Sequence, residues 1–131
     1  MNHADRAEEI YLQNYNCAQA VFGAFAEEQG LDLDTAMRVA FSLGGGLGGT
    51  GEVCGAALGM CLAVGLAGTG KPDAESKKRQ SERVKRLMEA FAERFGATGC
   101  NALRVVGDRS VCAGIVRYAA HLTEQSLKGD G

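Results

Sequence analysis

Apolar and polar positions along this chain recur at helical spacing, and no stretch alternates cleanly with the period of two that a half-buried strand requires. Asn2 is placed to cap a first helix. Asp5 lies in its first turn, Ala4, Ala7, Ile10 and Tyr11 share one side, and the pattern ends near Tyr15. Asn16 opens a second helix with Gln19 three residues on, the pattern of a capping box. Its inner face is Val21, Phe22, Phe25 and Ala26, and Gly30 stops it. Leu31, Asp32, Leu33, Asp34 and Thr35 open a third, whose acidic residues suit the positive helix end and which turns Leu33, Met37, Ala40 and Phe41 inward. A long charged helix follows the turn at 68–73 and runs to Phe95, with Val84, Leu87, Met88, Phe91 and Phe95 on one face and Gly96 as its stop. Thr98 can cap a short turn containing Cys100. Asp108 or Ser110 can cap a last helix carrying Cys112, Ile115, Val116, Ala119 and Leu122.

Between the third and the long helix lies the stretch around which the chain is organised. A glycine run (Gly44, Gly45, Gly46, Gly48, Gly49, Gly51) feeds into an uncharged apolar segment over 53–67. A helix made from that segment is hydrophobic on every side and must be buried. It is too short and too rich in glycine to span a membrane, which takes about 20 predominantly apolar residues. Gly51, Gly55 and Gly59 recur every four residues, each at a cost of roughly 1 kcal/mol relative to alanine in a helix. Such a stripe predicts close approach of another helix backbone; packing alone accounts for Gly59 and Gly65. The pattern therefore predicts an all-α fold: a compact multi-helix bundle around a buried, apolar, glycine-rich central helix, in one domain over 1–131.

Composition narrows the function classes. A chain of 131 residues buries a sizeable core without disulfide staples. The formal net charge is −2, and the basic residues at 71–86 are interleaved with acidic ones, as on a solvated helix face rather than a nucleic-acid surface. With no Trp and few Tyr and Phe, platforms for stacking bases are scarce, and no nucleic-acid partner is expected. The first residues start an amphipathic pattern without the apolar core of a signal peptide, so a cytoplasmic location is expected. The small-residue stripe and the exposed amphipathic helix are compatible with a homodimer.

The chemistry lies in the five cysteines, which in a reducing compartment point to reactive or metal-binding roles rather than to a static disulfide framework. Cys17, Cys54, Cys100 and Cys112 each fall in or near the first turn of a predicted helix, Cys54 doing so when Thr50 or Gly51 is the cap. Helix N-termini stabilise thiolates. For Cys54 taken alone, a thiolate and a small buried hydrophobe both fit. Cys61 lies two turns beyond Cys54, about 10 Å away at 1.5 Å per residue, and is read as a packing residue.

Other motifs fail on context. Gly46-x-Gly48-x-x-Gly51 matches a dinucleotide fingerprint as a string, but a helix precedes it where a strand belongs. The glycine-rich 65–71 segment resembles a phosphate loop until Pro72 occupies the hydroxyl position. No Cys-x-x-Cys is present for a thioredoxin-like pair or a local zinc knuckle. His3 and His121 are read as isolated surface residues.

Asn16-Cys17-Ala18-Gln19, the glycine loop leading into Cys54-Gly55-Ala56-Ala57-Leu58-Gly59, Phe95-Gly96 before Cys100, and Cys112 near the last helix together resemble the C_GCAxxG_C_C family of redox-active proteins. The resemblance covers nearly the whole chain and implies that Cys17, Cys54, Cys100 and Cys112 are the family's four cysteines, with Cys61 an addition. Our reading is thiol redox chemistry with reversible disulfide formation. Cys54 is the expected low-pKa nucleophile, and one of Cys17, Cys100 and Cys112 resolves the intermediate. Gly48, Gly49 and Gly51 would let a redox partner or small molecule approach the sulfur, and loop N–H groups would steady negative charge. The alternative is a module in which the same four thiolates bind a metal or an iron–sulfur cluster. Sequence alone leaves the pairing of the cysteines and the identity of any cofactor open.

Overall fold

The structure, a computed structural model, describes residues 1–105 and 107–129. Among them the elements are α1 (His3–Leu12), α2 (Cys17–Ala26), α3 (Leu33–Ala40), a four-residue turn α4 (Gly44–Leu47), α5 (Gly55–Ala67), α6 (Ala74–Phe95), α7 (Cys100–Leu103) and α8 (Arg109–Gly129). Single 3-10 turns extend α2 over Glu27–Gln29 and α3 over Phe41–Leu43. No strand forms among the described residues. The only extended pairings there are the isolated bridges Val53 to Gly99 and Val105 to Asp108. The protein is all-α, and no described helix is long and apolar enough to cross a membrane.

Local chemistry sets the helix ends. Asn2 Oδ1 accepts from the Asp5 N–H at 2.8 Å. Asn16 and Gln19 close the anticipated capping box in both directions, at 2.9 and 3.0 Å. Asp32 and Asp73 cap α3 and α6 through the N–H groups of Thr35 and Ser76. Gly30 and Gly96 end their helices at φ of 88° and 81°, the left-handed conformation that glycine adopts without strain. The first helix stops three residues before the expected Tyr15, because Asn14 turns to φ 76°.

The centre is shared by two helices. α2 buries eight of its ten residues and packs against α1, α3, α5 and α8, while α5 lies along α2 and α8. The sequence pattern predicts a buried central helix over 53–67. In the structure α5 is closed off on the α2 side, but Leu58, Cys61 and Leu62 are only half-buried and 65–67 are exposed. The approach is tight where glycine permits it: a Cβ on Gly59 would lie 2.7 Å from the Ala18 carbonyl oxygen and 3.0 Å from Val21 Cβ. Gly65 meets nothing within 4 Å, so no packing constraint acts there.

Two expectations fail. Phe41 is 70% exposed rather than inward-facing, because α3 ends at Ala40 and the 3-10 turn swings the ring outward while its carbonyl accepts from Asn16 Nδ2 at 3.0 Å. His3 is not isolated. Its ring stacks on Phe25 at a centroid distance of 4.1 Å, with Nδ1 2.5 Å from Glu124 Oε1 and Nε2 2.8 Å from Glu28 Oε1. That contact clamps α1 to α8 and holds the Glu124 carboxyl below its ordinary value.

Replacing Gly59 by alanine should destabilise the protein by roughly 1–3 kcal/mol through overpacking. Gly65→Ala should instead stabilise it by up to about 1 kcal/mol, the helix-propensity gain. Urea unfolding of both variants checks the contrast, and changes of equal sign and size would show that α2 and α5 do not meet closely. Because the native Glu124 pKa is lowered, its contribution is present above the ordinary carboxylate value and is lost as pH falls through the native one. Acid-side loss of stability should therefore be shallower in His3→Ala than in the parent, as read from unfolding midpoints across pH.

Candidate functional site

Four separate elements deliver cysteines to one cavity of about 220 Å3, whose wall includes Cys17, Cys54, Cys100 and Cys112. Each arrives for a local reason. The capping box fixes Asn16, which puts Cys17 at the first position of α2, and Gln19 Nε2 secures the same turn by donating to the Met37 carbonyl at 3.0 Å. Gly55 lets the start of α5 press on the start of α2, since a Cβ there would lie 3.4 Å from Cys17 Cβ and 3.2 Å from the Leu43 carbonyl oxygen. Cys54 is thereby drawn beside Cys17.

The glycine loop brings in the third thiol. Residues 52–54 pair with 98–100 around the Val53 to Gly99 bridge: Cys54 N–H donates to Thr98 O at 2.7 Å and Cys100 N–H to Glu52 O at 2.6 Å. Gly46, at φ 72°, leaves room for Cys100, whose Cβ would stand 2.5 Å from a Cβ on that glycine. Gly99, not Thr98, precedes α7 as its cap, and Thr98 serves the bridge instead. Cys112 comes from the first turn of α8, whose start is bound by Asp108 Oδ1 accepting from the Ser110 N–H at 2.9 Å. Arg109 ties that start to the end of α1: Nη2 donates to Tyr11 O at 2.9 Å and the guanidinium lies 4.1 Å from the Tyr11 ring centroid.

Electrostatics divide three of these thiols, Cys17, Cys54 and Cys112. Cys112 is pulled down to about 6, first by a hydrogen bond from the Cys17 thiol; burial opposes this, and Tyr11, Arg109 and Arg104 add to it. Cys17 is pushed strongly up, because it keeps its proton to donate to Cys112 and is itself desolvated. Burial likewise raises Cys54, although the N–H groups of Ala56 and Ala57 at the start of α5 pull the other way. This corrects the expectation of a low-pKa Cys54. Cys54 caps α5 rather than sitting inside its first turn, neither Thr50 nor Gly51 is the cap, and desolvation outweighs the helix end. Thr50 Oγ1 instead donates to the carbonyls of Gly46 and Leu47. Cys61 is raised by burial and lies outside the cavity wall.

The loop glycines are placed differently from the sequence expectation. Gly45 and Gly55 reach the cavity, whereas Gly48, Gly49 and Gly51 do not line it. The N–H groups of Gly48 and Gly49 donate to Gly44 O and that of Gly51 to Gly45 O, within the loop itself. Three residues that complete the site were not singled out as functional from sequence: Tyr11, Arg104 and Arg109. The only available signal was two arginines between Cys100 and Cys112. Among the described residues, no group of three His, Cys, Asp or Glu side chains is arranged to hold a metal ion.

A family model described as "Putative redox-active protein (C_GCAxxG_C_C)" matches residues 15–126. The chain belongs to this family. An uncharacterized protein of Archaeoglobus fulgidus is similar to it, 30% identical over 149 residues that cover 98% of this chain and 97% of the relative. No solved structure matches. Within the C_GCAxxG_C_C match fall all four cavity cysteines, together with Arg104 and Arg109; Tyr11 lies just before it.

Alkylation of Cys112 should follow the thiolate, which forms as pH rises through about 6. The rate of iodoacetamide labelling at the Cys112 peptide should therefore rise across that range and level off above it. A rise centred near the free-thiol value of about 8.5 would show that Cys17 and the arginines do not act on this sulfur as described.

Proposed function

We propose that the protein carries out thiol–disulfide exchange, with Cys112 as the attacking thiolate and Cys17 as the resolving thiol. The observation that carries this reading is the position of Cys112. It is half-buried, lines the inner cavity together with Cys17, and also lines a second recess. A sulfur so placed meets a substrate from outside and its resolving partner from inside.

The sequence of bonds follows. The Cys112 thiolate attacks one sulfur of an oxidised disulfide substrate, a mixed disulfide forms, and one half leaves as a thiolate that takes a proton from water. Cys17 then loses its proton to water and attacks the Cys112 sulfur. The second half leaves, the substrate has gained two electrons, and the protein holds a disulfide between Cys17 and Cys112. Protonation of Cys17 before attack is what the hydrogen bond to Cys112 favours; once Cys112 is in the mixed disulfide that bond weakens and Cys17 becomes easier to deprotonate. Cys54 and Cys100, diagonal to each other across the Val53 to Gly99 bridge, form the second pair on the same cavity, to which the disulfide can migrate by exchange without net electron transfer.

Anaerobically reduced protein treated with hydroxyethyl disulfide should lose two hydrogens by intact mass and regain them with a thiol reductant. Cys17→Ser should stop at a stable adduct on Cys112, and Cys112→Ser should form neither adduct nor first disulfide. Unchanged oxidation in Cys112→Ser overturns the assignment. A mass excess of metal in protein purified without chelator, lost on denaturation, would make these thiols ligands instead.

A further inference from the structure

We infer that the recess outside Cys112 receives a small disulfide bearing a carboxylate, with Arg104 as the group that binds the carboxylate. This rests on the exchange reading above and adds its substrate class. The recess has a volume of about 260 Å3 and its wall includes Tyr11, Arg104, Val105, Asp108, Arg109 and Cys112. Four of these, Tyr11, Arg104, Arg109 and Cys112, also line the inner cavity, so the two spaces adjoin along these residues.

The charged groups on this wall differ in whether they are already engaged. Arg109 donates to the Tyr11 carbonyl and lies over the Tyr11 ring. Asp108 accepts from both the N–H and the hydroxyl of Ser110, which hold its carboxylate ionised. Arg104 is exposed; its backbone N–H donates to the Cys100 carbonyl, but its guanidinium has no hydrogen-bond or salt-bridge partner among the described residues and acts on Cys112 through space alone. A planar donor fork standing beside the reactive sulfur with no protein carboxylate on it is suited to a bidentate carboxylate from a ligand. Val105, 55% exposed, gives an apolar wall for the methylenes between such a carboxylate and its sulfur.

The chemistry is that of the first exchange step with a charged substrate. The Cys112 thiolate attacks the nearer sulfur of the disulfide and the S–S bond breaks. The departing half leaves as a carboxylate-bearing thiolate that takes a proton from water, and the retained half stays in mixed disulfide with its carboxylate on Arg104. Cys17 then displaces it.

Three symmetric disulfides of similar size separate the arms of the test: 3,3'-dithiodipropionate (anionic), hydroxyethyl disulfide (neutral) and cystamine (cationic). The rate of adduct formation at Cys112 in the Cys17→Ser protein is divided, for each disulfide, by its rate with a small thiol in solution, which removes differences in leaving group. The anionic probe should exceed the neutral one by roughly tenfold, the effect of one charge-assisted hydrogen bond, and the cationic probe should be slowest. Added salt and Arg104→Gln should both shrink the anionic-to-neutral ratio toward one. Equal normalised rates for the three, or a ratio unchanged in Arg104→Gln, overturn the carboxylate inference and leave the exchange reading standing. No adduct at Cys112 from any probe, beyond the rate of the unfolded chain, overturns both.

Discussion

The close approach of α2 and α5 is the constraint on which the site depends. Helix backbones come this near only where one of them lacks side chains, and Gly55 and Gly59 supply that absence against Ala18 and Val21. The two helices are thereby brought together at their N-termini, which is why Cys17 and Cys54 lie side by side. Glycine lowers the intrinsic helicity of α5, and burial of Ala56, Ala57, Met60, Ala63 and Val64 offsets the loss.

A second constraint follows from the glycine loop. Positive φ at Gly45, Gly46, Gly48, Gly49 and Gly51 coils the chain onto itself, so that the N–H groups of Gly48, Gly49 and Gly51 bond within the loop and the edge at 52–54 is free to pair with 98–100. The loop positions a cysteine from elsewhere in the chain.

Much of this was readable from residues alone. The caps at Asn2 and Asn16, the stops at Gly30 and Gly96 and the apolar faces of α2 and α6 follow from short-range chemistry, and the structure repeats them. The convergence of four cysteines could be stated only as a shared position at helix starts. What brings them together are contacts distant in sequence: Gly46 under Cys100, Gly55 against Cys17, and Arg109 on Tyr11. Phe41 and His3 were misread for the same reason. The exposure of one and the partners of the other depend on a 3-10 turn and on α8, which no local window contains.

The largest departure concerns which cysteine is acidic. The rule that a helix N-terminus stabilises a thiolate applies to each site separately, and applied separately it does not distinguish them. In the fold the sulfurs share a cavity, and one anion there raises its neighbours: Cys112 acts to raise both Cys17 and Cys54. The hydrogen bond from the Cys17 thiol, with Tyr11 and the two guanidiniums, then selects Cys112 against the opposing effect of burial. Cys112 is half-buried, is flanked by two guanidiniums and is held ionised by the thiol of Cys17, which keeps its proton, while Cys54 has two helix N–H groups but lies deeper. Bringing thiols together at helix ends thus separates them, with Cys112 ionised and Cys17 holding its proton beside it. A thiolate beside a thiol that keeps its proton is the arrangement on which the proposed exchange with an external disulfide rests.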